Sequence, residues 1–465
     1  MDDLRPLPFA AGRHYAVLGL GRSGLSAGQA LLASGAAVSA WDDQAETRAA
    51  ADAAGLSATP LEGLDWAGVS ALVLSPGVPH SFPTPHPAAA AAKAAGVPLI
   101  ADVELFAQSK PLAPVAAITG TNGKSTTTAL IAHLLRYSQR SVAEGGNLGP
   151  PVLRLPQLGV EGVYVLELSS YQLELVESLH PRVAVFLNIT PDHLDRHGGF
   201  EGYLAAKERI FGGQRAEDLA IVGVEEEAGA LLADRLVTAG RTRVLRLSMT
   251  ETLPGGLYLR DGWLIDDTAG RATRLLPLAS LPRLPGRHNA QNVAAAYAAC
   301  RGLGLTKAAI LKALPHFPGL AHRQELVAEQ DGLRFVNDSK ATNAEAAAKA
   351  LASYDRIYWI AGGRPKEGGL SGLDAFYPRI RRAFLIGEAQ EDFARSLAGK
   401  VTADCCGTLE AAVAAATKAA RAEPEPGAVV LLSPACASFD LFPNFEARGE
   451  AFRAAVQSQL EETTP

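Results

Sequence analysis

The sequence has few cysteines and little basic charge, and each scarcity excludes a class of protein. Four of the 465 residues are cysteine, and none of them forms a CxxC pair. We therefore expect neither a disulfide framework nor a zinc ribbon. The 43 lysines and arginines are outnumbered by 49 aspartates and glutamates, so the formal net charge is -6. A chain with this balance lacks the broad basic surface of a nucleic-acid-binding protein.

Long apolar runs are also missing. No apolar segment reaches the length that spans a membrane, and the acidic, proline-interrupted start of the chain is unlike a signal peptide. We therefore expect a cytoplasmic monomer with no nucleic-acid or membrane partner. Hydrophobic residues still make up 48% of the chain. That content and this length are enough for about two to four packed domains.

Short β-branched or leucine-rich segments alternate with alanine-rich helical segments along most of the chain. This alternation predicts an α/β fold with mainly parallel sheets. The predicted strands lie at residues 15–20, 69–74, 115–118, 163–168, 183–187, 357–360, 383–386 and 429–432. Between residues 241 and 278, short alternating segments with turn signals predict a small β-rich insertion.

Proline-rich breaks suggest two domain boundaries. Segment 110–114 precedes a new strand, and segment 314–319 follows a helix. We therefore predict three domains, over residues 1–105, 106–319 and 320–465. Glycine-rich, hydroxyl-rich or charged clusters nearly all follow predicted strands. Because ligands of open parallel sheets bind beyond the carboxyl ends of the strands, these clusters predict one shared cleft.

The clearest cluster is the sequence GTNGKST at residues 120–126, between a predicted strand and a predicted helix. Small residues allow backbone N–H groups to surround phosphate oxygens, and the helix N-terminus favours an anion. Lys124 can reach the β- and γ-phosphates of ATP or GTP, and the Ser125 hydroxyl suits Mg²⁺. The loop is shorter than the strict Walker pattern, which needs glycine where this chain has Ile118. A chance turn is the alternative interpretation.

Two later strand ends carry groups that could bind the metal. Glu167 lies in an apolar strand, where an unpaired carboxylate is costly to bury, and His193 lies in the segment NITPDHLD. Taken alone, Glu167 could face solvent on an edge strand, and His193 could be an ordinary loop histidine. Their position at strand ends beside a phosphate loop favours a metal site.

The sequence GLGRSG at residues 19–24 follows the first predicted strand, and Asp42 ends the second. This is the fingerprint of a dinucleotide-binding βαβ unit. By itself it favours NAD; the alternatives are close helix–sheet packing, or a different nucleotide or diphosphate. A phosphate loop in the same chain favours a nucleotide-bearing substrate.

An ordered set of motifs from residue 19 to about 452 resembles the Mur ligases of peptidoglycan precursor synthesis. Besides GLGRSG, the set comprises GTNGKSTTT, GGNLG, LELSSYQLE, NITPDHLDRH, YLAAKERIF, GRHNAQN, AHRQE, NDSKATN and LLSPACASFDLFPNFEARGEAF. The resemblance implies a Rossmann-like UDP-sugar domain, a P-loop ATPase domain and a Rossmann-like C-terminal domain. It also implies an ATP-dependent ligase that adds D-glutamate to UDP-N-acetylmuramoyl-L-alanine through an acyl phosphate.

The same resemblance implies a role for individual residues. The catalytic residues would be Lys124, Glu167, His193 and Lys207. Two Mg²⁺ ions would be held by Ser125, Glu167, His193 and a CO₂-derived carbamate on Lys207, although the sequence alone favours a solvent-exposed helix lysine there. ATP would contact Gly120, Thr121, Asn122, Gly123, Lys124, Ser125, Thr126, Asn289, Asn292, Arg323 and Asp338. The UDP-sugar would contact Ser23, Asp42, Asp43, Ser75 and Asn147, and D-glutamate would contact His322, Lys340, Thr342, Lys366, Ser438, Phe439 and Phe445.

Two positions depart from the family pattern. The loop of Lys366 reads GGRPKEGGLSG where many relatives have a compact Gly–Asp–Lys–Gly, and Tyr171 replaces a frequent phenylalanine. Three alternatives stay open: a related ligase, such as an L-glutamate-adding enzyme or a folylpolyglutamate synthetase; a nicotinamide-dependent dehydrogenase, suggested by GLGRSG and Asp42; and a non-catalytic nucleotide-binding regulator.

Overall fold

A computed structural model describes residues 4–281, 283–284, 286–366, 368–423 and 426–461. The chain divides into two compact units, residues 1–281 with 287–317, and residues 282–286 with 318–465. The predicted domains 1–105 and 106–319 fall mainly in the first unit, where each has its own sheet. The division into three domains stays a prediction. Within the described ranges, no helix combines the length and apolarity needed to cross a membrane.

The first unit begins with a parallel four-stranded sheet in the order β2-β1-β3-β4. Its strands are β1 (His14–Leu18), β2 (Ala37–Trp41), β3 (Val69–Leu74) and β4 (Leu99–Ile100). Its helices are α1 (Arg22–Ala33), α2 (Ala45–Ala53), α3 (Pro87–Ala94) and α4 (Asp102–Gln108). The carboxyl ends of β1 and β3 are neighbours, so the glycine fingerprint after β1 and Ser75 after β3 share one edge.

The same unit contains a nine-stranded sheet in the order β13-β12-β11-β10-β9-β8-β5-β7-β6. The strands are β5 (Val115–Thr119), β6 (Val142–Gly146), β7 (Val163–Glu167), β8 (Val183–Phe186), β9 (Leu219–Gly223), β10 (Arg243–Ser248), β11 (Leu257–Arg260), β12 (Trp263–Asp266) and β13 (Thr273–Pro277). The helices are α5 (Lys124–Tyr137), α6 (Ser170–Leu173), α7 (Leu194–His197), α8 (Phe200–Glu208), α9 (Glu227–Ala239), α10 (Arg287–Gly302) and α11 (Lys307–Ala313).

The central strands of this sheet are completely covered. All residues of β5, β7 and β8 are buried, as expected for parallel strands with helices on both faces. Helix α10 is buried from Asn289 to Cys300, and its many alanines suit close packing of a buried helix. The loops that leave β5, β7 and β8 therefore start from fixed backbone positions.

The β-rich segment predicted at residues 241–278 is present as four short strands, β10 to β13, which extend the central sheet. Strand β10 pairs in parallel with β9, and β11 pairs in parallel with β10. Strands β12 and β13 then add antiparallel hairpins at the edge of the same sheet. The alternating pattern arises because these strands lie towards the edge, where one face is less covered.

The second unit contains a six-stranded sheet in the order β14-β15-β19-β16-β17-β18, with only the β14–β15 pair antiparallel. The strands are β14 (Glu325–Gln330), β15 (Leu333–Asn337), β16 (Ile357–Gly362), β17 (Ile380–Ile386), β18 (Ala403–Gly407) and β19 (Val429–Leu432). The helices are α12 (Ala344–Leu351), α13 (Gln390–Leu397), α14 (Leu409–Ala422) and α15 (Phe445–Glu461). Trp359 and its neighbour Tyr358 belong to separate apolar clusters, one on each face of the sheet.

The predicted mixed α/β fold with mainly parallel sheets is confirmed. All eight predicted strands are present, and those at 69–74 and 429–432 have the predicted bounds. The largest difference is at β17, which begins at Ile380 rather than at residue 383. Its extra residues include two arginines, which the apolar pattern does not identify as strand.

Candidate active site

The phosphate loop lies between β5 and α5, as the sequence predicts. Gly120 and Gly123 have φ values of 150° and 84°, which favour glycine. A Cβ on Gly123 would lie 2.3 Å from Asn292 Oδ1, so no side chain fits there. Helix α5 begins at Lys124, and the first N–H groups of a helix have no intrahelical partners. The loop thus offers backbone donors to an anion.

The Lys124 ammonium folds back over this loop. Its Nζ donates hydrogen bonds to the carbonyl oxygens of Gly120 and Thr121, each at 2.9 Å. Ser125, the predicted metal ligand, follows in the first turn of α5 and is buried. A positive charge and a hydroxyl therefore lie at the start of the helix, where a polyphosphate with its metal would need them.

Two residues that the sequence did not single out support the loop. Asn188 accepts from the Asn122 backbone N–H at 2.8 Å and donates to Gln291 Oε1 at 2.8 Å. The Tyr203 hydroxyl lies 3.1 Å from Thr121 Oγ1. The available signals were weak: Asn188 opens NITPDH, and Tyr203 lies four residues before Lys207 on the same side of a helix.

Glu167 is the last residue of β7 and is only 2% exposed. Because β7 lies between β5 and β6, the edge-strand interpretation of this glutamate is wrong. Its Oε1 accepts from Asn147 Nδ2 at 2.6 Å, whereas its buried Oε2 has no hydrogen-bond partner. A buried carboxylate oxygen without a donor is costly, and a bound cation would remove that cost. Glu167 therefore fits a metal ligand.

Within the described ranges, no group of three or more histidine, cysteine, aspartate or glutamate side chains is placed to hold a metal ion. Mg²⁺ usually takes one or two carboxylates and completes its octahedral shell with water and phosphate oxygens. A site that supplies Glu167 and few other protein ligands therefore suits Mg²⁺ bound together with a nucleotide.

Lys207 lies on α8 and is buried, so the interpretation as a solvent-exposed helix lysine is wrong. Its Nζ donates to the Gly120 carbonyl at 2.8 Å and lies 4.7 Å from the centre of the Tyr203 ring. Burial, and then the charge of Lys124, lower the pKa of Lys207 to about 6, against the opposing charges of Asp192 and Glu167. The amine is therefore mostly neutral at pH 7, which is the form that reacts with CO₂.

His193 precedes α7 with a left-handed backbone, φ 52°, and its side chain is half exposed. Its Nε2 lies 3.4 Å from Asp192 Oδ2. Partial burial lowers the pKa of His193 against the effect of Asp192, and the charge of Lys124, with that of Lys207 when it is protonated, lowers it further. Neutral imidazole is the form that binds metals. These mutual effects place the four predicted catalytic residues, Lys124, Glu167, His193 and Lys207, in one electrostatic cluster.

The two predicted ATP-binding asparagines of α10 lie behind the phosphate loop. Asn292 Nδ2 donates to Asn289 Oδ1 at 3.0 Å, and Asn292 Oδ1 accepts from Thr127 Oγ1 at 3.2 Å. Both asparagines are buried. In this arrangement Asn292 links α10 to α5 next to Gly123.

A cavity of about 560 Å³ lies at the carboxyl ends of β1 and β3. It is lined by all five residues predicted to contact a UDP-sugar, namely Ser23, Asp42, Asp43, Ser75 and Asn147, and by Arg22, Gln44, His86 and Gln172, which the sequence did not single out. Gly21 also lines it, and a Cβ on Gly21 would meet nothing within 4 Å. The fingerprint backbone is therefore open to a ligand.

The two neighbouring aspartates of this cavity differ in what they can do. Asp42 accepts backbone N–H groups with both oxygens, from Leu20 at 2.7 Å and from Gln44 at 2.9 Å. Asp42 therefore shapes the glycine turn. Asp43 is more available, since its side chain is 69% exposed and its Oδ2 lies 3.2 Å from His86 Nε2.

In the second unit, Asp338 follows β15 and is buried. Its carboxylate accepts from Ser433 Oγ at 2.9 Å and from the Gln324 backbone N–H at 3.1 Å. Burial raises the pKa of Asp338 to about 7, against these hydrogen bonds and the charge of Arg323. Asp338 thus holds the turn that carries Arg323.

Three of the predicted D-glutamate residues lie together in the second unit. Lys340 Nζ is 3.8 Å from the centre of the Phe445 ring, and the His322 ring is 6.2 Å from that of Phe445. The Lys340 backbone N–H donates to the His322 carbonyl at 3.0 Å. The His322 ring is buried, with Nδ1 3.0 Å from Asn337 Nδ2. His322 therefore supports the loop that carries Lys340.

The other predicted D-glutamate residues lie on adjoining loops. The Thr342 backbone N–H donates to the Lys340 carbonyl at 2.8 Å, Ser438 is buried, and Phe439 is 62% exposed. Burial raises the pKa of the Cys436 thiol to about 12, against the charges of Arg448 and Lys366. Cys436 is therefore a neutral, buried thiol. Glu367, in the loop of Lys366, lies outside the described residues.

Arg448 connects these loops, and the sequence did not identify it. This buried guanidinium donates to the carbonyl oxygens of Ser339 at 2.9 Å, Cys436 at 3.1 Å and Ala437 at 3.2 Å. It therefore fixes the segment before Lys340 against the segment before Ser438. In the string NFEARGEAF, nothing distinguishes this arginine from a solvent-exposed one.

Comparison with known proteins identifies the family. The model of the Mur ligase middle domain matches residues 118–300, and the model of the Mur ligase glutamate ligase domain matches residues 322–436. Two named UDP-N-acetylmuramoylalanine–D-glutamate ligases are similar over nearly the whole chain. That of Caulobacter sp. (strain K31) is 52% identical and covers 96% of both chains, and that of Rhodospirillum rubrum is 50% identical and covers 98% of this chain and 97% of its own.

The chain belongs to the Mur ligase family. Solved structures share its fold at low identity. The UDP-N-acetylmuramate-alanine ligase of Thermotoga maritima aligns with a TM-score of 0.57 at 18% identity, over 96% of this chain and 99% of its own. The UDP-N-acetylmuramoylalanyl-D-glutamyl-2,6-diaminopimelate–D-alanyl-D-alanyl ligase of Acinetobacter baumannii aligns with a TM-score of 0.55 at 19% identity, over 76% of this chain and 78% of its own. Membership favours the ADP-forming ligase over the nicotinamide-dependent dehydrogenase.

We expect Lys207→Met to stabilise this Mur ligase in CO₂-free buffer. Since the pKa of Lys207 falls from 10.5 to about 6 on folding, the unfolded chain binds more protons between these pH values. The resulting destabilisation grows as the pH falls from 10.5 to 6, and Lys207→Met removes it. The expected gain in Tm at pH 7 is about 2–4 °C, decreasing towards pH 9. Calorimetry at both pH values measures it.

The matched control is Lys93→Met, which removes an exposed lysine near the end of a helix. Its Tm difference from the wild type should not change between pH 7 and pH 9. A Lys207→Met variant with a lower Tm at pH 7, or with a gain independent of pH, would contradict the assignment of a neutral buried amine.

Proposed function

We propose that this Mur ligase joins D-glutamate to UDP-N-acetylmuramoyl-L-alanine and converts ATP to ADP and phosphate. Its relatives of 50–52% identity carry the name of that activity. The observation that carries the proposal in physical terms is the position of Asn147. This side chain lines the fingerprint cavity and donates to Glu167 at 2.6 Å. A nucleotide-linked substrate in the cavity is thereby adjacent to the phosphate site.

The proposed reaction has two steps. A carboxylate oxygen of the L-alanyl group attacks the γ-phosphorus of ATP, the bond to the bridging oxygen breaks, and ADP leaves. The amine of D-glutamate then attacks the acyl carbon, loses a proton, and expels phosphate with the former carboxylate oxygen. Phosphorylation is needed because a carboxylate at neutral pH is a poor electrophile, and in-line positioning with charge stabilisation supplies most of the catalysis.

The phosphate loop supports the first step. Backbone N–H groups of residues 120–126 bind the phosphates, and the Lys124 ammonium neutralises charge on them. Asn289 and Asn292 keep α10 against the loop. We assign Arg323 and Asp338 of the second unit to ATP, with Asp338 holding the turn of Arg323.

The metal-binding groups are Ser125, Glu167 and His193. Their donor types fit Mg²⁺, and the partnerless buried oxygen of Glu167 fits a cation. Mg²⁺, when bound, would neutralise negative charge on the phosphates. We further propose that Lys207 carries a CO₂-derived carbamate and that two ions bind, since a buried neutral amine beside these groups favours that modification.

The D-glutamate site is assigned to the second unit. Lys340 and Lys366 supply positive charge for a dicarboxylate, and Thr342 and Ser438 supply hydroxyl groups. The Lys340 ammonium lies over the Phe445 ring, and Phe439 is exposed on the adjoining loop. His322 and Arg448 hold these loops in place.

The test is the dependence of phosphate release on both substrates. Purified protein with ATP and Mg²⁺ should release phosphate only when UDP-N-acetylmuramoyl-L-alanine and D-glutamate are both present. Replacement of D-glutamate by L-glutamate, or of the sugar nucleotide by a folate, distinguishes the related ligases. Equal phosphate release without the sugar nucleotide would overturn the proposal.

Gly21→Val tests the cavity. Its side chain would project into open space at the cavity wall, without a clash inside the fold. We expect the KM for the sugar nucleotide to rise about tenfold, since the loss of one good contact costs about that much. The KM for ATP and the Tm should not change.

Gly68→Val is the matched control, because Gly68 also has open space at its Cβ position and does not line the cavity. Steady-state kinetics with each substrate varied in turn separate the two variants. An unchanged KM for the sugar nucleotide in Gly21→Val would contradict the assignment of this cavity as the sugar-nucleotide site.

A further inference from the structure

A histidine–glutamate–histidine bridge joins two segments of the first unit. The bridge consists of His80, Glu174 and His197. His80 Nε2 lies 2.8 Å from Glu174 Oε1, and His197 Nδ1 lies 3.1 Å from Glu174 Oε2. One carboxylate therefore contacts two histidines from different parts of the chain, with one oxygen for each.

One end of the bridge is attached to the sugar-nucleotide cavity. His80 lies in the loop that follows β3, and residues 75–79 and His86 of that loop line the cavity. The position of the cavity wall is thus tied to the position of Glu174, which directly follows α6.

The other end of the bridge reaches the helix of the proposed metal ligand His193. His197 ends α7, its Nε2 lies 2.9 Å from Ser170 Oγ, and its ring stacks on Tyr171 at 5.3 Å. The His193 ring lies 5.1 Å from the same Tyr171 ring. Both histidine rings therefore pack against Tyr171.

Arg196 makes a second connection between the same segments. Its guanidinium donates to the Phe82 carbonyl at 2.7 Å and to the Val78 carbonyl at 3.3 Å. It also lies 5.0 Å from the centre of the Tyr171 ring. Thus α7 holds the cavity loop through Arg196 directly and through His197 by way of Glu174.

The bridge is enclosed and charged. The His197 side chain is 1% exposed, and those of Glu174 and His80 are 14% and 16% exposed. Burial alone would raise the pKa of Glu174, but the close contacts with His197 and His80 outweigh it and lower the pKa to about 2. The carboxylate is therefore ionised at neutral pH, which favours its close contact with both imidazole rings.

We propose that Glu174 is a positioning residue that couples occupancy of the sugar-nucleotide cavity to the placement of His193 in the metal site. Substrate that orders the cavity loop fixes His80, Glu174 and α7, and metal bound at His193 orders the loop in return. Such coupling is reciprocal, because each ligand favours the same arrangement. The inference rests on the proposed function for the identity of the two ligands.

The experiment measures binding, with Mn²⁺ as the probe for the metal site. Calorimetry gives the Kd of UDP-N-acetylmuramoyl-L-alanine with and without Mn²⁺, and electron paramagnetic resonance gives the Kd of Mn²⁺. In the wild type we expect Mn²⁺ to tighten sugar-nucleotide binding about fivefold. In Glu174→Gln we expect this effect to disappear, and both separate affinities to fall by about tenfold.

Variants of each histidine alone separate the loss of sugar-nucleotide affinity from the loss of Mn²⁺ affinity. His80→Asn should weaken binding of the sugar nucleotide and leave the Mn²⁺ affinity unchanged. His197→Asn should weaken Mn²⁺ binding and leave the sugar-nucleotide affinity unchanged. Glu177→Gln is the matched control: this glutamate lies three residues away, its side chain is 85% exposed, and it only approaches Arg209 at 3.7 Å. It should bind both ligands as the wild type does.

A purely structural role predicts a different result. In that case Glu174→Gln would lower the Tm but keep the effect of Mn²⁺ on the sugar-nucleotide Kd, and the proposal would be overturned. The same applies if the wild type shows no such effect. Failure of the proposed function is distinguishable, since the wild type would then bind no UDP-N-acetylmuramoyl-L-alanine and ligate no D-glutamate.

Discussion

Lys124→Met is expected to lower ligase turnover by about 10³-fold or more, because it removes the charge that stabilises the transferring phosphoryl group. The Lys124 ammonium donates hydrogen bonds to the carbonyl oxygens of Gly120 and Thr121, at the start of α5. The methionine has similar length and can pack in the same place. Sugar-nucleotide affinity should stay unchanged, because Lys124 does not line that cavity.

The control for this variant is Lys312→Met, which removes an exposed lysine in the last turn of α11. It should retain the turnover of the wild type. Rapid-quench measurement of ADP formation locates the lost step in phosphoryl transfer. Turnover within tenfold of the wild type in Lys124→Met would contradict the assignment of the phosphate loop.

Glu167→Gln is expected to have the second largest effect, about 10²-fold or more on turnover, through weaker binding of Mg²⁺. The amide keeps an oxygen that can accept from Asn147 but removes the buried charge of the partnerless oxygen. The variant should therefore have a higher Tm than the wild type without Mg²⁺. It should also gain less Tm when Mg²⁺ and ATP are added, because it binds the ion more weakly.

Glu161→Gln is the comparison for this effect, since Glu161 is exposed just before β7. Titration of activity with Mg²⁺ should give a raised half-saturation concentration for Glu167→Gln alone. A Glu167→Gln variant with a normal Mg²⁺ requirement would exclude this carboxylate from the metal site.

The phosphate loop was predictable because its chemistry depends on local sequence. Two glycines, a lysine and a serine between a strand and a helix determine backbone shape, charge and helix start together. The structure has these features at the predicted residues, with Gly120 and Gly123 in conformations that favour glycine. The fold class was predictable for a similar reason, since fully buried parallel strands appear as continuous apolar runs.

Burial of isolated polar residues was not predictable from local sequence. Lys207 and Arg448 lie on helices with other charged residues nearby in sequence, where the pattern indicates exposure, yet both are 1% exposed. Their environments come from segments far along the chain, such as Gly120 for Lys207 and Cys436 for Arg448. Only the family resemblance pointed to Lys207.

The role of Asp42 also depended on tertiary geometry. The spacing after the glycine fingerprint predicts a carboxylate near the ligand, and the cavity is indeed lined by Asp42. Yet both of its oxygens accept backbone N–H groups within the turn. The strands after residue 241 were predicted as a β-rich segment, but their order in the central sheet was not, because sequence pattern gives strand positions and not the strand with which each one pairs.

The most direct test of the account follows an oxygen atom. The enzyme is supplied with UDP-N-acetylmuramoyl-L-alanine labelled with ¹⁸O in the alanyl carboxylate, together with ATP, Mg²⁺ and D-glutamate, and the released phosphate is analysed by mass spectrometry. Activation of the carboxylate by ATP predicts that each released phosphate carries a single ¹⁸O atom. Unlabelled phosphate would contradict it, because the oxygen would then come from water.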